Sequence, residues 1–398
     1  MKKIQCVLIC GAFSAVSSGL IAAPDEGDRF LAYGQIGLTH DSNVLRSATD
    51  VRADRIRVLA GGIKAWMPFS LQRIDAQLDA QDVDYQDLSS FNYRSHRAEV
   101  GWDWRLTSNA GGRLAWSNNR RPVELKYLTE AQRDVTNVNR VSGNGFYRFM
   151  PEWQIEAGAD RSRTDHTLDS RRFLDYEVDS YSTGFRYLPA TGSSVALTWR
   201  HLRATYPNQQ AWLPPGGIIL GIDNGYRQNE LNLSTEWQIT ALTSLHGNVG
   251  HVSRSHQQVS ARDYSGYVGR LGVKYQLTGK VGLQSSMWRE IGGDEQSAIS
   301  SYAIRKGIRF EPSWSISPKL QARLSWQYER LSYVGGAGDL LGIEPRIDKE
   351  NQLSIGVDYE WIRNSTLSLS FGREHRDSTG VNGSYDARTA GLSVKASY

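Results

Sequence analysis

Cysteine is almost absent. The chain holds 398 residues and two cysteines, Cys6 and Cys10, both within the first 22 positions. Beyond that point there is no thiol for a disulfide, a metal centre or nucleophilic catalysis. Long apolar runs are missing too. After the first 22 residues no stretch approaches the roughly 18 apolar residues of a membrane helix, and mean hydropathy is -0.48, which leaves a soluble protein or a β-barrel. Methionine, at 4 residues, is scarce. A net charge of +4 is too small to call for a nucleic-acid partner.

What is present starts with a targeting segment. Lys2 and Lys3 precede an apolar run from Ile4 to Ile21, and small residues Ala22 and Ala23 precede Pro24. This is the layout of a secretory signal peptide, with cleavage expected after Ala22, and Ile9 before Cys10 argues against a lipoprotein box. Residues 1–22 are thus read as the signal peptide and 23–398 as one barrel domain. The content of 12 Trp, 19 Tyr and 38 Gly favours strands and turns over packed helices.

One phrase recurs along the chain: an aromatic, one or two residues, then a tight turn. It occurs at Trp66, Trp104, Phe149, Tyr187, Trp237, Tyr275, Trp314 and Trp361, and the last interval ends on Tyr398. That spacing suits two strands, a short turn and a longer loop. The flanking segments alternate: Ala98, Val100, Trp102 and Trp104 share one face while Arg97, Glu99, Asp103 and Arg105 share the other. Eight turns predict 16 strands. An opening strand from Phe30 and a closing one from Tyr385 to Tyr398 make about 18, an even number as a single-chain bacterial barrel requires. The fold expected is an all-β, transmembrane, antiparallel up-and-down β-barrel in the bacterial outer membrane, with short periplasmic turns and long extracellular loops. Tyr302 and Trp314 share a face 12 residues apart, about 30 Å along the normal for a strand tilted about 40°, so both are expected in the aromatic girdles.

Parity assigns candidate functions. Arg97, Arg105, Arg113, Arg148, Arg186, Arg200, Arg270, Lys274, Arg309 and Arg323 are expected to line the lumen. Glu99, Asp103, Glu156, Glu236, Glu311, Glu329, Asp358 and Glu360 join them. Arcs of arginine can select anions; opposite charges paired across strands would only keep the lumen wet. The loop Pro207 to Tyr226 carries Trp212, Ile218, Ile219 and Leu220 and is expected to narrow the mouth, or to contact a partner. Gly391, Val394 and Tyr398 form the expected assembly signal for the barrel-insertion machinery, and Tyr398 should impair assembly when deleted.

Catalytic and metal readings are weak. His40, Asp41 and Ser42 are adjacent on a loop and cannot converge on one reaction centre. His251 and His256 with Ser253 and Ser255 lack an acidic partner, and Asp82, Asp84 and Asp87 read more simply as solvated charges than as a Ca²⁺ site. No catalytic residue, metal or cofactor is expected.

The segment from Gly37 through His40, Asp41, Ser42, Asn43 and Arg46, followed by Ala53 to Ile56, resembles the opening of the exopolysaccharide-associated outer-membrane β-barrels of the EpsL type, within the putative β-barrel porins. The resemblance implies a channel associated with biosynthesis and export of an extracellular polysaccharide, with that polysaccharide as passenger and periplasmic export components as partners beside outer-membrane lipid. Alternatives are a general diffusion or oligosaccharide-uptake porin and a barrel-embedded enzyme acting on lipid or glycan. The residues allow a simpler reading of the phrase, in which Asp41 and Asn43 cap the turn through side-chain to backbone hydrogen bonds.

Overall fold

The structure, a computed structural model, describes residues 29–127, 132–208, 210–212, 220–258, 260–293, 302–334, 346–380 and 383–398. The targeting segment with Cys6 and Cys10 lies outside them, and among the described residues no helix is long and apolar enough to cross a membrane. The first barrel strands are β1 (Phe30–Asp41), β2 (Asp54–Phe69), β3 (Gln72–Tyr85), β4 (Tyr93–Arg105), β5 (Ala110–Pro122) and β6 (Val135–Met150). They continue with β7 (Trp153–His166), β8 (Tyr176–Tyr187) and β9 (Ser194–Thr205). A small two-stranded ladder, β10 (Gln210–Trp212) and β11 (Leu220–Ile222), interrupts the series. The barrel resumes with β12 (Tyr226–Thr240), β13 (Thr243–His256), β14 (Tyr264–Gln276), β15 (Val281–Gly293) and β16 (Tyr302–Ser317). It ends with β17 (Leu320–Val334), β18 (Ile347–Ile362), β19 (Ser365–Ser378) and β20 (Tyr385–Ser397).

Eighteen of these form one antiparallel sheet in which each strand pairs with its neighbours in sequence. The sheet closes on itself, because β1 pairs with β20 in a register that sets Ile36 opposite Val394 and Leu38 opposite Leu392. Closure leaves no backbone edge to lipid, the condition for a sheet to span a bilayer. Tight connections such as residues 70–71 and 363–364 lie at one end, where Ser70 and Asn364 take φ of 54° and 63°, as two-residue hairpins require. The long connections gather at the other end.

The outer face follows from side-chain alternation. Leu59, Ile63, Trp102, Val141, Phe185, Leu233, Ile308, Trp326, Ile355 and Phe371 are all exposed, the signature of a surface meant for hydrocarbon. Phe149, Trp237, Tyr275, Trp314 and Trp361 are exposed beside the short turns. Tyr302 departs from the expectation: it is buried, its ring packs edge-on to Tyr264, and its hydroxyl donates to the Asp263 carbonyl at 3.3 Å. The connection leading into β14 covers it, so strand parity alone misplaces it.

Gly391 sits between Ser370 and Thr39, and a Cβ there would meet both hydroxyls, at 2.9 Å and 3.2 Å. Val394 lies opposite Ile36 and Leu367. Tyr398 closes the seam through backbone bonds in both directions with Ala32, at 2.8 Å and 2.9 Å.

Candidate functional site: the charged lumen

Two of the long connections turn inward. In the β1–β2 connection, Asp41 accepts a hydrogen bond from the Asn43 amide at 2.9 Å and takes both carboxylate oxygens to Arg46 Nη1, at 2.9 Å and 2.8 Å. Asn43 Nδ2 donates to the carbonyls of Ser47 and Asp386, and the Ser42 amide donates to the Arg388 carbonyl. The Asp-Ser-Asn phrase therefore caps its own turn and extends the β1–β20 seam. Its other product is Arg46, buried and aimed at Glu374 Oε2, 3.1 Å away.

The β5–β6 connection carries Glu124 and Lys126, and Leu125 packs against the buried cluster of Val44, Ile56 and Val83. Asp134, fully buried, anchors the far end of this loop by accepting from Arg171 Nε at 2.9 Å and the Leu168 amide at 3.1 Å. At the near end, Lys126 reaches across to β18 and β19. Lys126 Nζ lies 3.3 Å from Glu350, 3.7 Å from Glu374 and 3.4 Å from Glu124, with its side chain only 3 % exposed. Burial pushes the Glu124 carboxyl up to about 7; Lys126 opposes that rise while Glu350 and Glu374 add to it.

From there the charges continue along the wall. Arg376 joins Glu350 to Asp348 at 3.7 Å and 3.1 Å, and Asp348 also holds Arg346 at 2.7 Å and accepts from the Tyr333 hydroxyl. Asp41, Arg46, Glu374, Lys126, Glu350, Arg376, Asp348 and Arg346 thus form one chain of alternating sign. Such alternation is what buried charge requires, since a desolvated ion without a partner is strongly unfavourable.

Beside this chain lies a cavity lined by Lys126, Arg270, Trp288, Arg305, Arg309, Gln327, Glu329, Glu350 and Gln352. Trp288 lies against Gly307, where a Cβ would stand 2.3 Å from the indole; only glycine permits this approach. The indole nitrogen then donates to Glu329 at 2.8 Å, which also binds Arg305 at 2.7 Å. Arg270 stacks on the indole at 4.5 Å and pairs with Glu290 at 2.8 Å. Arg309 donates to Gln327 at 2.8 Å. The lining presents four cations and two carboxylates; Lys126 and Arg270 also meet Glu374 and Glu290 beside it, while Arg309 bonds to the neutral Gln327 and forms no ion pair among the described residues.

The other parity-assigned cations are dispersed around the wall. Arg113 pairs with Asp75 and Asp103, at 2.7 Å and 2.9 Å, Arg186 with Glu156 at 2.6 Å, and Arg97 with Glu99 at 3.0 Å. Arg200 lies 3.7 Å from Asp160, and Arg323 meets Asp358. Arg105, Arg148 and Lys274 stand apart from the cavity. Of the ten, Arg270 and Arg309 alone line it. Arg305, Arg376, Glu350 and Glu374 were missed although they obey strand parity. Lys126 and Arg46 lie in connections, where alternation has no meaning. Ile218 and Ile219 lie outside the described residues, and Trp212 and Leu220 are opposite each other in the β10–β11 ladder. Asp82 and Asp84 are engaged by Arg94 and Arg57.

No family model matches the sequence, and comparison with curated proteins finds no match. Solved structures do match. Pseudomonas aeruginosa OccK2 (OpdF) in complex with glucuronate is 12 % identical with a TM-score of 0.52, over 93 % of this chain and 98 % of that one. OpdK of the same organism, solved with vanillate, is 10 % identical with a TM-score of 0.51, over 93 % and 99 %. A BenF-like porin from Pseudomonas fluorescens Pf-5 is 11 % identical with a TM-score of 0.52, over 93 % and 99 %. The polysaccharide-export function implied by the EpsL-type resemblance is corrected by these matches: the chain shares its barrel with porins, two of them solved with small molecules, and nothing in them supports an exopolysaccharide-associated protein. The phrase that carried the resemblance is accounted for by the Asp41 turn and the seam. The chain is a closed 18-stranded antiparallel β-barrel with the fold of outer-membrane porins.

Proposed function

We propose that the protein is a passive uptake porin for small, negatively charged polar solutes. The observation that carries this reading is the cavity lined by Lys126, Arg270, Arg305 and Arg309, in which Arg309 bonds to neutral Gln327 and keeps its charge free of any carboxylate among the described residues. Small carboxylates in two porins of the same fold, glucuronate and vanillate, point the same way. Solute moves by exchanging its hydration for successive guanidinium and ammonium contacts, each weak enough to release it; no covalent step is involved. Residues 1–22 direct the chain out of the cytoplasm and are removed, and the strand ending in Gly391, Val394 and Tyr398 is the segment offered to the insertion machinery. Normal membrane insertion of a chain lacking Tyr398 would contradict that last role.

The test is reversal potential and liposome swelling with the purified barrel. Preference for chloride over potassium and faster entry of glucuronate than of a neutral sugar of equal size are expected, and the Arg305→Gln/Arg309→Gln variant should lose both. Equal entry of the two sugars through the wild-type channel would overturn the reading.

A further inference from the structure

The outer wall holds four cations that the channel does not use. Arg289 lies opposite Lys306, Lys306 opposite Arg330, and Arg330 opposite Lys349, across four consecutive strands, β15 to β18. All four have outward parity, shared with exposed Met287, Ile308, Tyr328 and Leu353 one or two places nearer the periplasm. Like charges set directly opposite one another destabilise a sheet. Elsewhere on this collar carboxylates meet several of the cations: Arg57 pairs with Asp84, Arg94 with Asp82, Arg161 with Glu177 and Arg373 with Asp386, although Arg203 and Arg227 also stand opposite one another.

In the row no such relief exists among the described residues. Lys306, Arg330 and Lys349 have no ion pair there, and Asp377, across the ladder from Lys349, bridges to His375 instead. Among the described residues Arg289 donates to Tyr267 O and the Tyr264 hydroxyl. Those bonds fill the place where β14 and β15 part, since their ladder stops at Gly269 and Arg289.

Depth identifies the partner. Lys306 is eight residues above Trp314, and Lys349 twelve above Trp361. With a tilt near 40° these are about 20 Å and about 30 Å above the periplasmic girdle, the level at which the outer leaflet's hydrocarbon gives way to headgroups. Three strand spacings make the row about 14 Å long, too long for one phosphate to touch every member. Apolar surface lies below and cationic surface above, the complement of an anionic amphiphile.

We propose that Arg289, Lys306, Arg330 and Lys349 bind the headgroup of an outer-leaflet glycolipid carrying more than one phosphate. The probe is labelled diphosphoryl lipid A, titrated into the full-length barrel in detergent, with fully dephosphorylated lipid A as the second arm. The Lys306→Gln/Arg330→Gln/Lys349→Gln variant should bind diphosphoryl lipid A at least tenfold more weakly than wild type, and dephosphorylation should weaken wild-type binding equally. Conductance should not change. Inorganic phosphate at about 10 mM should leave bound lipid in place, because scattered charge retains a soluble anion poorly. Undiminished binding by the variant, indifference to the phosphates, or displacement by inorganic phosphate would each overturn the assignment. If the triple variant fails to insert, Lys306→Gln alone and the two lipids on wild-type protein decide the question.

Discussion

The inner chain and the outer row both place charged side chains on neighbouring strands, yet they follow opposite rules. Inside, Glu374, Lys126, Glu350, Arg376 and Asp348 alternate in sign and are buried beneath inward-folded connections. Outside, Lys306, Arg330 and Lys349 repeat one sign and stay exposed. Solvent makes the difference. A charge that loses its water needs a counter-charge at contact distance, whereas a hydrated one tolerates a like neighbour at small cost. A partner therefore stabilises the inner charges within the protein, and the outer ones remain available to something outside it.

Removing one inner member should have the largest effect. Lys126→Met removes the cation shared by Glu124, Glu350 and Glu374 and leaves Arg376 and Arg46 to hold the last two, and taking one member out of a buried charge network costs up to about 3–5 kcal/mol. The 3 % exposure of Lys126 permits little discount. Heat-modifiable gel migration should shift to lower temperature, and single-channel conductance should rise as the β5–β6 connection loses its anchor. Wild-type conductance in this variant would mean that the connection does not narrow the lumen.

Next is the tryptophan that supports the cavity. Gly307→Val places a side chain where the Trp288 indole lies, and overpacking of this kind costs about 1–3 kcal/mol. Stability should return in part in Gly307→Val/Trp288→Ala, because the clashing ring is gone while the Tyr328 carbonyl oxygen still stands 2.8 Å from the new Cβ. A double variant no more stable than the single one would assign the glycine another purpose.

A smaller effect concerns pH. With its carboxyl raised to about 7, Glu124 is largely neutral at pH 6 and largely charged at pH 8, so the lumen gains one negative charge as pH rises. Anion preference, read as the reversal potential in a KCl gradient, should fall between those values, and Glu124→Gln should hold it at the low-pH level. The outer row marks the lower limit: Lys306→Gln should change stability by no more than about 0.5 kcal/mol and leave conductance unaltered. A large loss there would erase the contrast between the two faces.

Alternation made the strand number legible, because a sheet with hydrocarbon on one side and water on the other must repeat with period two. Trp314, Ile308 and Lys306 fall on the outer face by that rule alone, and Arg270 and Arg309 on the inner. The rule failed at Tyr302, where a neighbouring connection covers the outward side, and it had nothing to say about Lys126. Arg46 stood in plain view three residues after the Asp-Ser-Asn phrase but was read as a family mark, since its partner Glu374 is 328 positions away.

Local chemistry in the sequence determined the barrel class, its even strand count and the polarity of its two faces. Only the tertiary structure decided which charges meet. Ladder register and the inward course of two connections bring Arg46, Lys126, Glu350 and Glu374 together, and both depend on closure of the whole cylinder, which no short stretch of sequence contains.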